Sequence, residues 1–273
     1  MPSASMALLT VALIFPAYFY GQQAAGDPTA DPARIRMMLM MSQLLCIAAP
    51  AVFIAWYTRC DLRDTFSLYA PNPIHAVSAL LMAVSAWPVS TLIFQIQAKL
   101  TGLDASALAP FAELQAVLTN GPLWSVVLAL AVFPAICEEI LFRGLLTSGL
   151  RTRLGILQTA IVVGLCFGLY HVILEKMAVT ILLGIVLTIV CIKTRSIFAA
   201  MLVHIGNNAL AIIASRMDWL AKLYGASNDD SAVAIRFDAR TALFVGMFVL
   251  GLAIIVLSRH AKPRRELFAS GRP

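Results

Sequence analysis

Eight stretches of nearly unbroken apolar residues run along the chain, at about 6–20, 36–57, 74–98, 122–150, 157–173, 177–193, 196–214 and 240–258. They lack the ten-residue alternation of barrel strands and are too long and too uniformly apolar for it. In lipid only helices or closed barrels satisfy their own backbone. About 20 helical residues cross the ~30 Å hydrocarbon core. The pattern therefore predicts an all-α fold, a polytopic membrane helical bundle of about eight transmembrane helices. No Lys or Arg precedes the first apolar run, so it reads as a span rather than a cleavable signal. Between the runs, Gly26-Asp27-Pro28-Thr29-Ala30-Asp31-Pro32 is a turn-rich loop and Arg59-Cys60-Asp61-Leu62-Arg63-Asp64 a charged one. Residues 99–121 mix polar and apolar positions and are expected to lie amphipathically at the interface. Residues 215–239 read as the longest polar loop.

Composition agrees with this pattern. Of 273 residues, 60% are hydrophobic and 12% charged, against about 25% charged in a soluble domain; the mean hydropathy is +0.86. Disordered chains, coiled coils and almost all water-soluble enzymes are excluded. The net charge of +6 does not point to nucleic acid, because no basic stripe is interleaved with aromatics. It points to orientation and to membrane lipids as partners. With eight spans, one side carries Arg59, Arg63, Arg151, Arg153, Lys193, Arg195, Arg259, Lys262, Arg264, Arg265 and Arg272 against Asp61, Asp64 and Glu266. The other side is balanced. The basic side is expected to be cytoplasmic, which places the C-terminus inside a multi-pass protein, in the cytoplasmic membrane if the host is bacterial. The five cysteines form no CxxC pair and read as apolar packing residues. His75 and His260 read as surface residues.

The fourth run contains Cys137-Glu138-Glu139-Ile140-Leu141-Phe142-Arg143-Gly144. Each charge at a helix centre costs ~2.5–3.5 kcal/mol on insertion scales, so these three need mutual compensation or a polar cavity. Glu139 and Arg143 are spaced i, i+4 and can pair. Glu138 lies ~100° away around the helix, unpaired by that geometry and suited to general-base work. Pro134, four residues earlier, is expected to disturb the helix. In the fifth run Gly164 and Gly168 form a small-xxx-small pair for close helix approach, and His171 falls near that face. In the seventh, Ala200, His204 and Asn208 share one side, with Asn207 offset by ~100°. Counting ~1.5 Å per residue from the basic side puts Glu138, His171 and Asn208 ~18–21 Å deep and His204 ~12 Å deep. Four polar groups on three helices thus converge in depth.

Glu138-Glu139-x-x-x-Arg143, Phe167-x-x-x-His171 and His204-x-x-x-Asn208, in this order on separate apolar helices, resemble the CAAX-protease and bacteriocin-processing (CPBP, or Abi) family of intramembrane proteases. That family includes the type II CAAX prenyl endopeptidases. The resemblance covers about residues 122–212. It implies an intramembrane endopeptidase acting on a membrane-associated or lipidated protein or peptide. In that mechanism Glu138 and His171 activate a water, while His204 and Asn208 stabilise the oxyanion. Glu139 and Arg143 hold the site together and Phe167 shapes it. No cofactor is required. The implied organisation is one integrated membrane domain with three parts. Residues 1–121 hold the N-terminal helices and interfacial segment, 122–215 the catalytic core, and 216–273 the polar loop, last helix and basic tail.

Zinc is the mechanistic rival, since Glu138, His171 and His204 could form a His2Glu set, but no HExxH occurs. Two further functional classes compete with the protease. A proton-coupled transporter would use buried Glu, His and Arg but should show an internal repeat, and none is found. A non-catalytic scaffold or immunity protein retaining the fold would be expected to have lost part of the constellation, which is intact.

Overall fold

The computed structural model describes residues 1–24, 31–103, 114–224 and 237–258. Among the described residues every regular element is helical. Eight long helices follow the eight apolar runs: α1 (Ala4–Ala24), α2 (Pro32–Tyr57), α3 (Pro73–Thr101), α4 (Leu123–Leu150), α5 (Ile156–Tyr170), α6 (Leu174–Thr194), α7 (Ile197–Ala214) and α8 (Ala239–Leu257). Six of them (α2, α3, α4, α6, α7 and α8) are long and apolar enough to cross a membrane, whereas α5 and the apolar stretch Ala4–Pro16 of α1 are shorter. The chain is an integral membrane protein.

Local chemistry sets the helix ends. Asp31, Asn72 and Asp238 cap α2, α3 and α8 by accepting from the amides of Ala33, His75 and Thr241. Proline follows directly at Pro32 and Pro73, where its missing N–H costs nothing. Gly102 closes α3 in the left-handed region at φ 66°.

Two helices are irregular. A π-helical stretch Leu44–Ala48 in α2 stands before Pro50, and Leu128–Val132 in α4 stands before Pro134. Proline has no N–H to donate and its ring crowds the preceding turn, which a wider turn accommodates. A second π stretch in α4, Ile140–Leu146, follows the two glutamates without any proline. There the Thr147 hydroxyl donates to the Phe142 carbonyl five residues back at 2.7 Å, matching the wider ladder.

Two apolar cores flank α4. One joins α1, α2, α4 and α5 through Ala7, Ile47, Ala51, Leu141, Leu145 and Phe167. The other joins α3, α6, α7 and α8 through Met82, Leu187, Val203 and Ile255. Ile140 of α4 packs against both, so the residues around it sit at the seam. Lipid offers helices no hydrophobic drive to associate, and close contact depends on small residues. The Gly164/Gly168 pair meets this need against α6. A Cβ built on Gly184 of α6 would lie 2.9 Å from Gly164 Cα and 3.1 Å from Phe167 Cβ.

Several expectations change. The 215–239 segment holds a short helix, Asp218–Leu223, whose following Tyr224 packs between Trp87 and Phe244. His75 is not on the surface: it is 3% exposed and bonds Ser258 at the end of α8 over 2.7 Å. In the expected interfacial segment α3 continues to Thr101 and residues 114–119 are helical, while 104–113 lie outside the described residues. The basic tail with His260 also lies outside them.

Candidate active site

Glu139 and Arg143 form the expected pair at 2.8 Å, with both side chains fully buried. Arg143 also donates to the Gly184 carbonyl at 3.1 Å, and its guanidinium lies 4.5 Å from the centre of the Phe167 ring. The glycine contact between α5 and α6 makes this possible, because it brings the Gly184 backbone up to Phe167 and hence to Arg143. Burying one cation is thereby answered by a carboxylate, a carbonyl and an aromatic face.

His204 is tied into the same group rather than free. Its Nδ1 lies 2.9 Å from the Glu139 oxygen that also accepts from Arg143. An oxygen paired with a guanidinium is an acceptor, so Nδ1 carries the proton and Nε2 is the remaining ring nitrogen. That Nε2 faces Glu138 Oε2 at 3.9 Å, beyond direct hydrogen-bond reach.

Glu138 is 4% exposed. Its Oε1 accepts from Gln43 Nε2 of α2 at 3.2 Å, and its Oε2 has no hydrogen-bond partner among the described residues. Gln43 was not among the residues singled out from sequence. Its signal is a carboxamide inside an apolar span, in a run that carries none of the three motifs.

His171 does not sit within a helix as expected. Helix α5 ends at Tyr170, His171 is its C-cap, and Val172 follows at φ 55°. The His171 Nδ1 donates to the Phe167 carbonyl at 2.8 Å, which leaves Nε2 as the acceptor. No hydrogen bond or ion pair among the described residues joins His171 to Glu138. The two histidines are related through Phe167, whose ring stands edge-on to His171 at 4.7 Å and to His204 at 5.7 Å.

Asn208 is half-buried on α7, one turn from His204. Ser90 of α3 donates to Asn207 Oδ1 at 2.7 Å, and Asn207 Nδ2 donates to Asn208 Oδ1 at 3.0 Å. This relay fixes the Asn208 amide with its Nδ2 as the donor left over. Asn207, offset on the helix, is thus what orients its neighbour.

Among the described residues no group of three His, Cys, Asp or Glu is placed to hold a metal ion. Glu138, His171 and His204 are thus not gathered into a three-residue ligand set among the described residues. A cavity of about 460 Å³ opens beyond Arg143, lined by Tyr69, Thr147, Arg151 and Arg195 among others, and reaches neither Glu138 nor His204.

A helical membrane bundle with a buried carboxylate, imidazole and amide cluster at its central seam is the class that fold and site define. Residues 120–210, about a third of the chain, match the family model described as type II CAAX prenyl endopeptidase Rce1-like, so this segment is similar to a family of CAAX-type peptidases. The match holds Glu138, Glu139, Arg143, Phe167, His171, His204 and Asn208, and leaves Gln43 and Ser90 outside it. No curated protein and no solved structure matches the chain.

Proposed function

We propose that this protein is an intramembrane endopeptidase that hydrolyses a peptide bond of a membrane-associated or lipidated protein or peptide. The observation that carries the reading is the Glu138 carboxylate, buried in an apolar helix with one oxygen anchored and the other without a hydrogen-bond partner among the described residues, 3.9 Å from His204 Nε2. Such a group is costly to keep in a membrane unless it acts.

Glu138 Oε2 accepts a proton from water as the water oxygen bonds to the substrate carbonyl carbon. The His171 Nε2 lone pair orients that water. The carbonyl becomes a tetrahedral oxyanion, which accepts hydrogen bonds from Asn208 Nδ2 and from His204 Nε2, the imidazole in this step carrying a proton on each ring nitrogen, one toward Glu139 and one toward the oxyanion. Collapse breaks the C–N bond, and the proton held by Glu138 goes to the leaving amine. Glu139 and Arg143 hold His204 in register, and Phe167 spaces the two histidines. Residues of this chain suffice for each step, and no cofactor is needed. The excess of basic residues in one set of loops supports a cytoplasmic C-terminus.

Mass spectrometry of newly created N- and C-termini, in membranes bearing the wild type or Glu138→Gln, tests this. Glutamine keeps the shape and removes the base. Termini present only with the wild type support the protease and name its substrate. Identical termini, with both chains well expressed, move the reading to a scaffold that has kept the fold.

A further inference from the structure

We infer that Gln43 is a positioning residue for Glu138, so that the active site is completed by an N-terminal helix outside the Rce1-like segment; this rests on the protease reading above. The row Gln43, Ile47, Ala51, Ala55 is buried along α2, and its three apolar members pack in one core with Leu141, Phe142 and Leu145 of α4. Gln43 is the one polar member, only 3% exposed. A carboxamide at that place costs free energy unless it is bonded, and it donates to Glu138 Oε1 at 3.2 Å.

The backbone around this contact is specialised on both sides. Gln43 ends a regular helical segment, and the π stretch Leu44–Ala48 begins at the next residue. Glu138 and Glu139 end another segment, and the π stretch Ile140–Leu146 begins directly after them. Single π turns inside α-helices recur at functional sites because they re-aim side chains relative to the regular ladder. Here the two irregular stretches pack against each other, and the residues at their leading edges meet.

The consequence for chemistry is directional. A carboxylate held at one oxygen cannot swing, so its second oxygen stays opposite His204 Nε2 at 3.9 Å, in reach of one shared water. Gln43 touches neither water nor substrate in this scheme; it acts through Glu138. Losing a hydrogen bond to a charged group corresponds to roughly a 10- to 100-fold change in rate.

The test uses the full chain in proteoliposomes, with a synthetic peptide spanning a cut site whose new termini depend on Glu138. Gln43→Met keeps length and removes the donor. Its kcat should fall ~10- to 100-fold with KM unchanged. A double-mutant cycle with Glu138→Met, read by reversible SDS denaturation, should show the two positions to be coupled. If Gln43→Met does not reach the membrane, Gln43→Asn, which is one methylene short, should show the same kcat loss. Wild-type kcat in the variant, a change confined to KM, or additive stability effects would each overturn the inference. A wild-type chain that cleaves nothing overturns the protease reading instead, and the cycle still reports whether the bond exists.

Discussion

Replacing Arg143 by methionine removes one half of a buried pair and leaves the other half in place. The structure sets the size of the effect. The guanidinium is fully buried, bonds Glu139 at 2.8 Å and Gly184 at 3.1 Å, and covers the Phe167 ring at 4.5 Å. An exposed ion pair contributes ~0–1 kcal/mol. Removing one partner of a buried pair typically costs ~3–5 kcal/mol, because the remaining charge is stranded where water cannot reach it. The stranded charge here is Glu139, with His204 as its remaining partner. Arg143→Met should therefore lose ~3–5 kcal/mol against reversible SDS denaturation in mixed micelles. The double variant Arg143→Met/Glu139→Gln should recover most of that loss, since no unpaired charge remains. Arg143→Lys should fall between, because an ammonium can keep the ion pair but cannot also present a planar fork to Gly184 and a face to Phe167. A loss below ~1 kcal/mol in Arg143→Met, or a double variant no better than the single, would refute the reasoning.

Other outcomes follow from the same geometry. Gly184→Ala places a Cβ 2.9 Å from Gly164 Cα; α6 must move away, and a cost of ~1–3 kcal/mol should appear in the same denaturation assay, with cleavage reduced as Arg143 loses its carbonyl partner. The Asp238 carboxyl is held down to about 2, from 3.8, by the Thr241 backbone N–H and by Arg240. Its cap on α8 is therefore fully present above 3.8 and is lost as pH falls through about 2. The stability gap between wild type and Asp238→Ala should be constant near neutrality and close over that window. Chelators such as EDTA and o-phenanthroline should leave Glu138-dependent cleavage unchanged, and a loss restored by added zinc would overturn the scheme.

How legible this molecule is from sequence depends on which physical signal each feature carries. Transmembrane helices announce themselves by apolar length, and α2, α3, α4, α6, α7 and α8 stand where the runs lie. The Glu139–Arg143 pair was legible because i, i+4 spacing is a property of one helix. Contacts between helices were not, because no periodicity says which faces meet. Hence Gln43 went unnoticed, and His204 was expected at an oxyanion without its bond to Glu139. Asn207 stands ~100° off the side shared by His204 and Asn208, and that offset is what lets it bridge Ser90 to Asn208. The π stretches have no compositional signature beyond the prolines that follow two of them, and Ile140–Leu146 lacks even that. His75, at a span boundary, looked exposed because Ser258, its partner, is distant in sequence.

The central claim is that Glu138 is the base of a hydrolytic site inside the membrane. The most direct measurement is cleavage by purified protein in proteoliposomes, in the presence of a chelator, comparing the wild type with Glu138→Gln at equal folded content. The wild type should cleave a peptide spanning its own cut site, and Glu138→Gln should be slower by at least ~100-fold. Equal rates from the two would contradict the account.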